Sequence, residues 1–357
     1  MTNRLKTMRN FAIYRMPYAD VCVEIVQHEG EPERIASPLQ LNGRSGFVVA
    51  PFTQTDDEPM VLIRPDEVNT FPVETVDDEP AQSGDDAAYE SLGEDRMRQY
   101  YSVDFSSFHS RLVSGEFQKI VLARCAMLGK TADISLRTLF MRACQLYPRV
   151  FVALVSTSYS GTWLIASPEI LLEGDGNHWH TMALAGTMTL GNLQWSDKNI
   201  CEQAYVTSYI TECIERFTND FSVEGPYSVR AGQLVHLRTD FHFNIPDSNA
   251  LGKIVSALHP TPAVCGMPKD ATHRFIISNE HTPRSYYSGF MGPLDIAGST
   301  HLYVSLRCMQ ITPDAYRLFA GGGILADSQE QQEWEETQEK MKTMKNLIDI
   351  CSTTMKK

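Results

Sequence analysis

Phe117-Gln118-Lys119-Ile120-Val121-Leu122-Ala123-Arg124-Cys125 is the stretch whose reading decides the fold. Apolar and β-branched residues run on without a helical period, so it reads as a β-strand. Alternate residues of a strand share a face, which puts Phe117, Val121, Ala123 and Cys125 on one side with Lys119 among them. An ammonium on an apolar face is costly unless it is paired or gives up its charge. A lysine that gives up its charge is a general base. The alternative is an edge-strand lysine whose stem lies on the sheet while its head reaches water.

Working outward from this strand, the chain alternates hairpin signals with isolated helices. Before it, residues 9 to 63 mix short apolar runs with Pro and Gly and read as antiparallel strands. From Pro65 to Asp95 the chain is acidic and poor in apolar residues, the pattern of an exposed, mobile connector. A helix is expected over 97–114, ended by Gly115. After the strand come a helix over 136–146 and two strands over 150–157 and 162–166, joined by Ser158-Tyr159-Ser160-Gly161. Ser167-Pro168-Glu169 follows, then a strand leading to Ala183-Leu184-Ala185-Gly186-Thr187.

A long helix over 198–218, with Asp197 as its cap, carries the stripe Val206, Ile210, Cys213, Ile214 and Phe217. One step back along that stripe lies Glu202, which either complements the helix dipole or points into a pocket. A strand over 228–238 contains His236, and a short helix over 249–258 precedes the breaker-rich loop His259 to Gly266. Ser299–Ile311 and Ala315–Phe319 read as a hairpin turned at Pro313-Asp314 and leading to Gly321-Gly322-Gly323. Those glycines let backbone amides approach an anion, or serve a bulge. The last helix, over 329–350, places Glu333, Glu336 and Lys340 on one face, either as a solvated ion-paired surface or as part of a site. Strands that arrive as hairpins, and not as βαβ units, imply an α+β fold.

The 357 residues suffice for one large domain or two ordinary ones. A net charge of −13 argues against a nucleic-acid surface or an anionic membrane as partner, while leaving room for a small anionic substrate at a locally basic site. The eight cysteines show no CxxC pair or metal-ligand spacing and read as reduced thiols of a cytoplasmic protein. No stretch approaches signal-peptide or membrane-spanning character.

Taken in order, ten short motifs resemble those of the chorismate-utilising enzymes, which include isochorismate synthase, salicylate synthase and anthranilate synthase component I. They are Lys119–Arg124, Ser167–Glu169, Ala183–Thr187, Glu202 after Asp197-Lys198, Val235-His236-Leu237, Pro260–Gly266, Tyr287–Gly289, Ser305–Arg307, Gly321–Ile324 and Glu333–Thr337. Lysine at position 119 resembles the water-adding members, since the amine-transferring members commonly carry Gln there. Ala185 stands where aminodeoxychorismate synthases have a lysine. Two departures stand out: Gly-Gly-Gly-Ile replaces the commoner Gly-Ala-Gly, and Met182 occupies a position that some members fill with Glu.

The resemblance implies one large α+β catalytic domain over 1–357, with large antiparallel sheets packed face to face and helices outside. Residues 1–64 would complete the scaffold, 65–95 form the connector and 96–350 the catalytic body. It implies conversion of chorismate to isochorismate, with salicylate synthase as the alternative and an inactive homologue as the reading outside enzymes. Lys119 would activate water and Glu169 protonate the leaving hydroxyl. Mg²⁺ would be held by Glu202 and Glu336, with Glu333 nearby. Gly186, Thr187, His236, Tyr287, Arg307, Gly322, Gly323 and Lys340 would contact substrate. No glutamine amidotransferase partner is expected.

Overall fold

The computed structural model describes residues 10–76, 89–131, 133–189, 194–231, 234–247 and 249–349. In chain order the first strands are β1 (Asn10–Arg15), β2 (Val21–Gln27), β3 (Glu33–Ile35), β4 (Gly46–Ala50), β5 (Met60–Ile63), β6 (Glu67–Pro72) and β7 (Tyr89–Leu92). Then come α1 (Glu94–Val113), β8 (Lys119–Lys130), α2 (Leu136–Leu146), β9 (Phe151–Thr157), β10 (Gly161–Ser167), β11 (Ile170–Asp175), β12 (His178–Thr189) and α3 (Asp197–Glu215). The chain continues through β13 (Phe221–Ala231), β14 (Leu234–Asn244), α4 (Leu251–Leu258), β15 (Gly266–Met267) and α5 (Lys269–Asn279). It closes with β16 (Phe290–Leu294), β17 (Ser299–Val304), β18 (Cys308–Ile311), β19 (Ala315–Ile324) and α6 (Glu330–Asp349).

These strands build two antiparallel sheets. One runs β15-β8-β19-β18-β10-β9-β1-β2-β6, with β7 also on β8, and the other runs β13-β14-β12-β11-β17-β16-β4-β5-β3. Their inner faces meet in a core that includes Phe47, Phe151, Trp163, Met291 and Tyr303. Helices α3 and α4 cover the outer face of the second sheet, and α2 and α6 that of the first. The fold is α+β, with antiparallel sheets face to face and helices outside.

Several local expectations change. Phe117 precedes the strand and packs with Ile120, Leu122 and the α1/α5 aromatics, so it does not share the Lys119 face. Ser196, not Asp197, caps α3: its hydroxyl accepts from the Asn199 amide at 3.2 Å. The stretch 228–238 straddles β13 and β14. Two ends of the acidic connector are strands, β6 and β7, which pair with β2 and β8; its residues 77–88 lie outside the described residues. The apolar run 299–311 is two strands, because the chain leaves the second sheet after Val304 and enters the first at Cys308.

That change of sheet positions the site. The chain also crosses between β10 and β11, and the two crossings lie side by side. The Ser167 hydroxyl donates to Val304 O at 2.6 Å, Val304 N to Glu169 O at 3.0 Å, and Ala166 N to Arg307 O at 3.0 Å. Glu169 and Arg307 therefore stand where neither backbone belongs to a ladder and both side chains turn inward.

Candidate active site

Between the sheets, beside these crossings, lies a narrow cavity. Glu169, Gly186, Thr187, Glu202, His236, Tyr287, Arg307, Gly323 and Lys340 line it. Lys119 sits just beneath this wall, while Gly322, Glu333 and Glu336 lie behind it, towards α6.

Lys119 opens β8 and is wholly buried. Of the two ways to relieve such a charge, the structure uses pairing: Nζ lies 3.0 Å from Glu202 Oε1. The strand reading was right about the buried face but could not see the carboxylate brought from α3. Helix α3 docks through Gln203, whose amide accepts from Ala185 N at 2.9 Å and donates to Ala183 O at 3.1 Å. That contact aims the neighbouring Glu202 at Lys119.

The glycine run makes room for these side chains. Gly321, Gly322 and Gly323 pair in regular register with Ala123, Leu122 and Val121, so there is no bulge. A Cβ on Gly323 would stand 2.0 Å from Glu202 Oε1 and 2.9 Å from Lys119 Cε. One on Gly321 would stand 2.8 Å from the Tyr287 hydroxyl, and one on Gly322 3.1 Å from Glu333 Oε2.

Glu202, Glu333 and Glu336 alternate with three lysines. Lys340 Nζ lies 2.6 Å from Glu336 Oε1 and donates to Gly321 O at 2.8 Å. Lys198 pairs with Glu333. Burial opposes the Lys198 charge, but Glu333, Glu202 and Glu336 together raise its pKa. Burial raises Glu333, against Lys198. Its Oε2 is buried with no hydrogen-bond partner among the described residues. Lys198 was not foreseen as a site residue, although it lies four positions before Glu202 and so on the same helix face. Among the described residues, no group of three or more His, Cys, Asp or Glu is arranged to hold a metal ion.

Glu169 is buried to 2% exposure, and burial pushes its carboxyl up to about 8 against the pull of Lys119, Thr261 and Lys340. It keeps a proton near neutral pH.

Arg307 has φ +47°, a strained value for a bulky residue, set by the change of sheet. Its Nη2 donates to His236 Nε2 at 3.0 Å and Nη1 to Thr343 Oγ1 at 3.3 Å. His236 Nδ1 donates to Gly186 O at 3.0 Å, which fixes the tautomer. Burial, then Arg307 and Lys340, lower His236 to about 3, so the ring stays neutral. Gly186 reaches it from a bulge in β12, at φ +65°. Arg307 has no carboxylate within ion-pair distance among the described residues, and burial lowers it to about 10. The cavity thus offers an unpaired guanidinium, a protonated carboxyl and a lysine–glutamate cluster, an arrangement suited to an anion undergoing proton transfer.

Known proteins share this architecture. The putative 2,3-dihydroxybenzoate-specific isochorismate synthase DhbC of Bacillus anthracis superposes with a TM-score of 0.78 at 20% identity, over 97% of this chain and 98% of that one. Anthranilate synthase component I of Streptococcus pneumoniae does so at 0.68 and 16% identity, over 94% and 90%. These likenesses establish the fold. By sequence, the chain is 31% identical over 260 residues to isochorismate synthase DhbC of Bacillus subtilis, covering 68% of this chain and 65% of that one. It is 30% identical over 247 residues to isochorismate synthase EntC of Escherichia coli, covering 66% and 63%. The match thus spans just under two thirds of each of these relatives. The family model for chorismate binding enzymes matches residues 50–349, and the chain belongs to that family.

Proposed function

We propose that the protein is a Mg²⁺-dependent isochorismate synthase of the cytoplasm, a single catalytic domain that converts chorismate to isochorismate. The observation that carries the reading is a carboxyl held protonated, Glu169, in the wall of the cavity beneath which Lys119 is paired with Glu202. Water adds at C2 of the ring as the C4 hydroxyl leaves, so one group must take a proton and another must give one. Lys119 would enter the reaction as the free amine, not as the ammonium that pairs with Glu202 here, and in that form takes the proton from water. Glu169 gives its proton to the departing hydroxyl, and the proton balance of the isomerisation closes. Arg307, oriented by His236, grips the enolpyruvyl carboxylate with its free edge. Tyr287 and Thr187 bound the ring.

The donor types suit a hard divalent cation, although the glutamates are not drawn together as a ligand group here: Glu202, Glu333 and Glu336 share one lysine–glutamate cluster, and Glu333 has a buried oxygen unpartnered among the described residues. Glu202 and Glu336 would be the ligands, with Glu333 alongside. Bound there, Mg²⁺ would supply positive charge to the ring carboxylate and take up the charge of Glu202 that Lys119 now balances.

Product analysis of the purified protein with chorismate and Mg²⁺ tests this. Isochorismate without pyruvate is expected. Salicylate with pyruvate would move the function to salicylate synthase, and no conversion, with or without ammonia, would favour a binding homologue. The names of the relatives support isochorismate as the product.

A further inference from the structure

Residues on β8 alternate between two environments. Lys119, Val121 and Ala123 face the inter-sheet space; Ile120, Leu122 and Arg124 face α1 and α6. Arg124 belongs to the motif that identified the strand, yet nothing in the proposed reaction uses it.

Its side chain is only 5% exposed. Nε donates to Thr337 Oγ1 at 2.6 Å, and the guanidinium lies over the Trp334 ring at 3.7 Å. The outer nitrogens, Nη1 and Nη2, have no hydrogen-bond or ion-pair partner among the described residues. Burial lowers the group to about 10, and Glu94 acts on it only through space. A guanidinium held in a largely apolar setting without a carboxylate is poorly compensated, and its outer nitrogens remain free to take an anionic group.

What the outer nitrogens meet is a second cavity of about 350 Å³, between β7, β8, α1 and α6 and on the opposite side of β8 from the substrate site. Leu92, Met97, Met127, Leu318 and Met341 make its walls apolar, and Lys345 stands at its side over the Tyr89 ring. The carboxylates at its edge are engaged elsewhere: Glu339 with Lys342 at 2.5 Å, and Glu94 with the Ser91 hydroxyl at 3.3 Å. The volume suits a small ligand, and thioether walls adapt to an apolar body of irregular shape. A planar guanidinium edge is matched by a carboxylate, which accepts two parallel hydrogen bonds.

We propose that this cavity is a second ligand site, which takes a small carboxylate with an apolar body, its head on Arg124 and its body among Met97, Met127 and Met341. The site is separate from the substrate cavity and does not depend on the reaction proposed above.

Decanoate serves as probe, because its single carboxylate and straight chain suit this cavity and not one built for a cyclic dicarboxylate. Calorimetric titration of the full-length protein in metal-free buffer should show one saturable site per chain, unaffected by chorismate. Arg124→Gln should weaken it at least tenfold. Ala126→Phe fills the cavity from the same strand while leaving Arg124 in place, and should abolish binding even if the first variant folds poorly. No saturable binding, displacement by chorismate, or unchanged affinity in either folded variant would overturn the proposal.

Discussion

The same face of β14 carries two polar clusters with opposite electrostatics, one deeply buried and one partly exposed. Towards one end is His236, in the substrate cavity; towards the other are Arg238 and Asp240. Around Asp240 every charge is answered. His180 bridges Asp240 at 2.7 Å and Glu173 at 2.8 Å, Arg238 reaches Asp240 at 2.6 Å, and His301 reaches Glu173 at 3.1 Å. Burial alone would raise Glu173, but the His180 and His301 hydrogen bonds hold it down at about 2. In the cavity the balance reverses. Burial wins over the lysines and raises Glu169 to about 8. Depth and pairing both separate the two clusters: the side chains of Glu173, Arg238 and His301 are 23–28% exposed and their charges are answered, whereas Lys119 and Glu169 are at most 2% exposed and Glu169 has no cation within ion-pair distance among the described residues. A closed network stabilises the fold, whereas an open one keeps groups in protonation states they would not hold in water.

The largest expected effects test the open cluster. Lys119→Ala and Glu169→Gln should each lower turnover on the order of 10²–10⁴-fold, with chorismate binding largely retained. Steady-state kinetics with a binding titration checks this, and near-normal turnover in either variant would erase the distinction. Next, Glu336→Ala should raise the Mg²⁺ concentration for half-maximal activity by at least about tenfold, since even outer partners of metal ligands shift affinity that far. An unchanged Mg²⁺ dependence would remove Glu336 as a ligand.

The closed cluster should answer in stability alone. Asp240→Asn leaves His180 and Arg238 short of a partner in a partly exposed setting and should cost on the order of 2 kcal/mol, read by denaturant unfolding. Its turnover should stay within about twofold; a catalytic loss like that expected for Glu169→Gln would break the comparison.

Two pH dependences of opposite sign sharpen it. Glu173 is lowered in the folded state, from 4.5 to about 2, so its contribution is present above 4.5 and lost as pH falls towards 2. Glu169 is raised, so the folded chain holds a proton that the unfolded chain releases. Its cost to stability grows as pH rises from about 4.5 to about 8. Turnover should fall as pH rises through about 8. Glu169→Gln should remove that limb and be more stable than the parent protein at pH 9, with the gap closing at pH 4.5. Thermal unfolding at the two pH values decides it.

Much of this was legible along the chain. Helix α2 lies where the Leu136, Leu139, Phe140 and Ala143 spacing puts it, and Glu202 continues the buried stripe of α3 as the i−4 relation requires. The motif order pointed to the family, and the family model agrees. The crossing at Ser305–Arg307 was hidden, because an apolar run reads the same whether its halves lie in one sheet or two. The role of the glycine run was hidden too. Its absent Cβ atoms leave room for Glu202, Tyr287 and Glu333, residues distant in sequence.

Periodicity and spacing along the chain, which are local properties, determined the strand around Lys119, the buried line of α3, the shared face of Glu333, Glu336 and Lys340, and the antiparallel α+β class. Only the tertiary structure decided which charges meet. Lys119 is paired with Glu202, Glu169 is left protonated, and Arg307 and Arg124 each face a cavity. The reason is physical: a buried group's charge state depends on desolvation and on partners within a few ångströms, and those partners come from strands and helices far apart in the chain.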